Sequence, residues 1–226
     1  NKEVNYLQKA KGYIVVKDLI PALCEFSKPC VVCYGYYRSI KRTTFSKKNK
    51  EVKLLYAGLL QTGKSDVGLA LEVIKKLPSN YTLIIAGYGS SKAVKYLEQS
   101  IVDINGELKR KAIKYVGCLF GQDYENLLRS CDMGLCTRVL SDEYSIYSFP
   151  SKVCIYLKYN LLPVCTDLLI FSESKLKESL LLANNNCEDI CSKILSNKLS
   201  VNHDYSQVLN QLHANMISEV SKLLSK

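Results

Sequence analysis

Tyr147-Ser148-Phe149-Pro150-Ser151-Lys152-Val153-Cys154-Ile155-Tyr156-Leu157, followed by Leu162-Pro163-Val164-Cys165-Thr166-Asp167, holds a loop, a helix start and a short apolar strand in quick succession. Pro150 fits the first helical position, where its missing N–H is no loss, and Ser151 fits the cap. The first N–H groups of a helix have no intrahelical acceptor. The turn carrying Ser151 and Lys152 is therefore suited to an anion. The strand at 162–166 is apolar on both faces, as in a parallel sheet covered by helices on each side.

The same alternation runs outward in both directions. Strands are expected at residues 13–16, 29–34, 52–57, 81–86, 112–116, 133–136 and 162–166. Helices are expected at 18–26, 65–76, 91–102, 123–130, 151–159, 187–196 and 204–224. In the second helix Val67, Ala70, Leu71, Val73 and Ile74 form a stripe at helical spacing, with Glu72, Lys75 and Lys76 outside it. Strand and helix in strict turn predict an α/β fold, a Rossmann-like doubly wound parallel sheet.

At 226 residues and 47% hydrophobic content the chain is long enough for one large, well-buried domain. No apolar run approaches the roughly 20 residues that cross a bilayer. A cytoplasmic protein is expected, with peripheral membrane association left open. The chain starts at Asn1 with neither Met nor a signal-peptide pattern, and reads as a piece of something longer. The net charge of +10 comes mainly from lysine, the arginines being Arg38, Arg42, Arg110, Arg129 and Arg138. Lysines spread over many helix faces read as a solvated surface, so nucleic acid is not an expected partner.

Ten cysteines in a chain this long read as reduced, mostly buried thiols, Cys33, Cys118, Cys136, Cys154 and Cys165 among them. Cys30-Val31-Val32-Cys33 has redox-motif spacing, but in an extended run residues three apart face opposite sides. His203 and His213 have no metal-ligand spacing to a cysteine pair and are expected at the surface, with no metal site.

Residues 38–51 crowd Arg38, Lys41, Arg42, Lys47, Lys48 and Lys50 together and read as a linker. Residues 1–37, too short to close a sheet, are an added edge or the remnant of another domain. Residues 52–200 form the main domain and 201–226 the terminal helix.

Three strand-to-helix turns should gather at the carboxyl ends of the strands, where an open α/β sheet binds ligands. The first, Gly58-Leu59-Leu60-Gln61-Thr62-Gly63-Lys64-Ser65, is a formal P-loop match. A P-loop NTPase also needs an Asp at the end of a strand to hold Mg²⁺, and Asp132 precedes its strand instead. The second, Ile84-Ile85-Ala86-Gly87-Tyr88-Gly89, is a glycine turn that geometry alone would demand. The third is the opening stretch.

From residue 53 to about 196 the order of these segments resembles the C-terminal half of a GT-B glycosyltransferase of group 1 type. The likeness rests on Gly58 with Lys64, Gly87 with Gly89, Val116-Gly117, the Tyr124-to-Cys131 segment with Asp132, and Phe149-Pro150-Ser151-Lys152 followed by Leu162-Pro163-Val164. It implies a donor and phosphate site at Gly58, Gly63, Lys64, Ser148, Phe149, Ser151 and Lys152, with nucleotide-contacting turns at Gly87, Gly89 and Gly117. It implies no cofactor, a nucleotide-diphosphate sugar as substrate, and a glycan or lipid-linked acceptor held by an N-terminal domain, as in polysaccharide biosynthesis. Residues 1–37 would be the last piece of that domain, and the terminal helix would return to it. This half alone is expected to be inactive.

Three positions depart from the family pattern. Leu59 stands where an Arg is common, and the family's two glutamates fall on Tyr147 and Ile155, or on Tyr156 with a one-residue shift. Losing a carboxylate from the ribose diol costs about 1.5–3 kcal/mol, unless Asp142, Glu143 or Asp167 substitutes. A non-catalytic nucleotide-binding module and, less favoured, a P-loop NTPase remain as alternative readings.

Overall fold

Side chains alternate between the two faces of each strand, and both faces of the central strands are buried, which decides the layering. The computed structural model describes residues 9–16, 28–40, 51–60, 67–137, 149–197 and 203–225. The expected helix at 18–26 lies outside them. Among the described residues the main sheet runs β5 (Ile113–Tyr115), β4 (Tyr81–Gly89), β3 (Val52–Leu60), β6 (Met133–Cys136), β7 (Leu162–Thr166), β8 (Leu181–Ala183), all parallel. Leu54 and Tyr56 of β3 join one core layer while Leu55 and Ala57 join the other. The first layer is closed by helices α1 (Val67–Lys76), α2 (Ser91–Glu107) and α6 (Cys187–Ser196). The second is closed by α3 (Gly121–Ser130), α4 (Ser151–Lys158), α5 (Leu169–Ser172) and α7 (Ser206–Leu224). With both sheet faces covered, the expected doubly wound arrangement holds.

Several boundaries differ from expectation. β3 and β4 continue three residues past Ala57 and Ala86, staying in register to Leu60↔Gly89. The expected glycine turn at Gly87 and Gly89 is therefore strand. Glycine is required there because a Cβ on Gly87 would sit 1.8 Å from Gly58 O, and one on Gly89 2.2 Å from Leu60 O. Helix α2 runs on to Glu107, capped at its start by Ser90 Oγ accepting from Ala93 N–H at 3.2 Å. β8 and α5 were not expected, since segments of three and four residues leave no measurable period. Pro150 occupies the cap position and Ser151 the first helical one, with no side-chain cap bond. Cys118 is exposed in a loop, not buried, and His203 is half-buried, stacked on Tyr205 with ring centroids 5.6 Å apart.

A second, two-stranded parallel sheet pairs β1 (Tyr13–Val15) with β2 (Cys30–Val32). Helix α7 packs on β2 and on α4, and Leu223 lies where a side chain on Gly12 would start, 2.6 Å away. Both segments that reach this small sheet are tied to Asn160. Its Nδ2 donates to Ile40 O at 3.2 Å and its Oδ1 accepts from Tyr205 N–H at 3.1 Å. Ile40 N–H donates in turn to Lys158 O at 3.0 Å. Asn160 is 3% exposed and left-handed at φ 59, a conformation Asn tolerates better than most residues. Asn160→Ala is expected to lose about 2–3 kcal/mol from two buried hydrogen bonds and backbone strain. Asn160→Gly, which relieves the strain, should lose less, and urea unfolding of the two variants separates the contributions.

Candidate functional site

The chain leaves β3 toward β4 and β5 on one side and returns to β6 on the other. Connections from β3 and β6 thus diverge to opposite faces and leave a crevice at their carboxyl ends. Gly58, Gly87 and Gly117 line up across this end. Gly58 pairs with Gly87 in register, and Gly87 N–H donates to Gly117 O at 2.9 Å. The Tyr115 hydroxyl donates to Gly87 O at 2.9 Å, and burial raises its pKa, so it stays a donor. Gly117 has φ 75 and open space around it, so its glycine serves the backbone turn.

Lys152 reaches back into the crevice from the first turn of α4. Its Nζ lies 3.8 Å from where a Gly58 side chain would begin and 5.0 Å from the Tyr56 ring centroid. Tyr56, 2% exposed, is itself fixed by its hydroxyl on Leu59 O at 3.3 Å. A cation over a buried ring gains about 0.5–2 kcal/mol, which holds the ammonium in place. Lys152 makes no ion pair among the described residues. Beside it the N–H groups of Ser151 and Lys152 lack intrahelical acceptors, and Ser151 is exposed. Charge, helix dipole and a side-chain-free floor at Gly58 together make an anion cradle.

The structure thus brings Gly58, Gly87, Gly117, Ser151 and Lys152 to one end of the sheet, and Gly89 closes the strand beside them. Gly63, Lys64 and Ser148 lie outside the described residues. Phe149 belongs to the core: its ring is 6% exposed, 4.6 Å from Tyr34 and 5.7 Å edge-on to Phe171. What it leaves for a ligand is main chain, and packing a large ring there anchors the start of α4.

At the family's second glutamate position, Ile155 is half-buried and Tyr156 fully buried. The Tyr156 ring lies where a side chain on Gly134 would be, 2.2 Å from that Cβ position, and its hydroxyl donates to Leu135 O at 3.4 Å. Burial raises its pKa well above the usual phenol value. Tyr147, at the first glutamate position, lies outside the described residues, as do Asp142 and Glu143 of the substitute carboxylates; the third, Asp167, is exposed at the carboxyl end of β7. Asp132 sits at the opposite end, where its Oδ2 accepts from Lys53 N–H at 2.8 Å.

Sequence reading missed Tyr56, which aims Lys152, and an apolar rim. Leu59 and Tyr88 are register partners exposed by 41% and 62%, and Phe120, just before α3, by 77%. The signal for the pair was the strand alternation itself, continued two residues past Ala57 and Ala86. Among the described residues no group of three or more His, Cys, Asp or Glu could hold a metal, and no helix is long and apolar enough to cross a membrane.

A six-stranded parallel sheet with its crevice at the strand-order reversal defines a Rossmann-like class of fold. More particularly, the fold is that of the C-terminal half of GT-B glycosyltransferases of group 1 type. The pneumococcal O-GlcNAc transferase GtfA, solved with UDP and GlcNAc, aligns over 100% of this chain and 47% of its own, at 15% identity and a TM-score of 0.68. Anabaena HepE, solved with UDP and glucose, aligns over 96% and 64%, at 13% identity and the same TM-score, 0.68. TarM of S. aureus aligns over 100% and 47%, at 17% identity and 0.62. The chain thus spans about half to two thirds of these structures, and at such identities the likeness is one of fold. No family model matches the chain, and no curated protein matches it significantly.

Proposed function

We propose that this chain is the donor-binding half of a glycosyltransferase that moves a sugar from a nucleotide-diphosphate sugar to a glycan or lipid-linked acceptor. The observation that carries the reading is the Lys152 ammonium held beside Gly58 at the strand-order reversal. In such a transfer the bond from the sugar's anomeric carbon to the diphosphate breaks, and negative charge grows on the departing oxygens. Lys152 and the N–H groups opening α4 would meet that charge without reorganising. Lys64, at the family's lysine position, is the second candidate cation. The acceptor would be bound by a further domain, which fits a chain covering only part of the length of its structural relatives.

A specific observation favours a second reading, a non-catalytic nucleotide-binding module. Tyr156 is locked into the core and Ile155 is aliphatic, so α4 offers the donor no carboxylate at either position. A P-loop NTPase is disfavoured because Asp132 is engaged at the far end of the sheet.

Lys152→Ala and Lys64→Ala, tested by calorimetric titration with UDP and GDP, are expected to weaken diphosphate binding by about 10-fold or more, the worth of one charged hydrogen bond. Unchanged affinity for both nucleotides in both variants would sink the donor-site reading. Binding without sugar transfer, once an acceptor domain is supplied, would favour the second reading over the first.

A further inference from the structure

The Cys30-Val31-Val32-Cys33 spacing is not used by the crevice, and the two thiols cannot join one another. β2 is extended, and Cys33 N–H still donates to Val15 O at 2.7 Å. Three extended residues span about 10 Å, beyond the roughly 7 Å between Cα atoms that a disulfide tolerates.

Cys33 instead leads into a loop that packs on helix α4 through Gly35. Its thiol donates to Gly35 O at 3.4 Å. Gly35 lies directly on Cys154: a Cβ built on it would be 3.5 Å from Cys154 Sγ and 3.6 Å from Cys154 Cβ. The 33–37 loop thus packs on the helix at ordinary van der Waals distance, through a backbone at φ 156 that favours glycine. The Tyr37 hydroxyl accepts from Tyr34 N–H at 2.7 Å and lies near both thiols, its pKa raised mainly by burial. Both cysteines are free, Cys33 half-exposed and Cys154 buried.

We propose that Cys33 and Cys154 are a peroxide-responsive pair that forms a reversible disulfide, stapling the 28–40 segment to the helix that carries Lys152. Exposure assigns the order of events. The Cys33 thiolate attacks one oxygen of hydrogen peroxide, the O–O bond breaks, and the leaving hydroxide takes up a proton to become water. Burial pushes the Cys154 thiol up to about 12, which suits it to the second step and not the first. Its sulfur attacks the Cys33 sulfenic acid, the S–O bond breaks, and the departing hydroxyl leaves as water with the Cys154 proton. Two thiols and one peroxide thus become one disulfide and two waters. The staple lies two residues from Lys152, so it constrains the first turn of α4 as well as the segment it binds.

The test is made on the full chain. After hydrogen peroxide treatment, blocking of free thiols with N-ethylmaleimide and digestion, mass spectrometry is expected to find Cys33 and Cys154 in one cross-linked peptide pair, released by dithiothreitol. Closing so long a loop should raise Tm by about 5 °C or more in the oxidised form, and neither Cys33→Ser nor Cys154→Ser should show that rise. Cys33 and Cys154 both carrying N-ethylmaleimide after oxidation, or Cys33 joined mainly to any other cysteine, would overturn the proposal. The mass-spectrometric readout uses the unsubstituted chain, so it stands even if a serine variant folds poorly.

Discussion

Gly87→Ala is expected to cost at least about 3 kcal/mol of stability and to abolish nucleotide diphosphate binding. The added Cβ would stand 1.8 Å from Gly58 O and 2.9 Å from Gly58 C. Both are backbone atoms of a paired strand, so no side-chain rotation relieves the contact. The backbone at φ 154 is also one that only glycine adopts without strain, worth about 1–3 kcal/mol by itself. Relief requires β3 and β4 to part at Gly58, which breaks the floor under Lys152 and the hydrogen bond from Gly87 to Gly117 O. Gly106→Ala is the control, since it lies in α2 with nothing within 4 Å of the new methyl. It should stabilise by about 0.5–1 kcal/mol. Urea unfolding with a UDP titration checks both, and a Gly87→Ala protein as stable as the parent would show that the strands yield freely.

Tyr156→Ala is expected to destabilise by about 3–5 kcal/mol, the range for removing a fully buried aromatic ring. The ring fills the space above Gly134, so its removal leaves a cavity between α4 and β6, bounded by strand backbone that has no room to collapse. Tyr156→Phe, which keeps the ring and loses the 3.4 Å hydrogen bond to Leu135 O, should cost about 1 kcal/mol. Tyr156→Glu would put a carboxylate at one of the family's positions, yet it buries an unpaired charge and should unfold the domain sooner than activate it. Thermal and urea melts rank the three. A folded Tyr156→Glu protein with improved UDP affinity would mean that this side chain can reach the crevice.

Much of the fold was legible because apolar strands and amphipathic helices carry their own period. The stripe Val67, Ala70, Leu71, Val73 and Ile74 lies on the core as its spacing required, Val67 at its edge. The continuous runs at 52–57 and 81–86 became central strands covered on both faces. Element ends were less legible, since β3 and β4 continue through Gly58 and Gly87, where a single strand shows only residues that look like a turn. That two glycines face each other across the ladder is a property of the pair, invisible in either strand alone.

The candidate site divides in the same way. Ser151 and Lys152 at a helix start, and glycines after strands, were readable from local pattern, because caps and turns are set by residues adjacent in the chain. That Lys152 lies over Tyr56 and beside Gly58 joins residues nearly a hundred positions apart, and only strand order decides it. Phe149 shows the limit from the other side: its place in the family pattern suggested the ligand, and packing against Tyr34 and Phe171 gave its ring to the core. That Gly35, two residues from Cys33, lies against Cys154 is decided in the same way. By itself the sequence determined the kind of sheet and the presence of an anion-ready helix start, since both follow from local periodicity and capping. Tertiary structure alone decided which groups meet there, because parallel strands bring distant segments together through crossovers whose order no local pattern records.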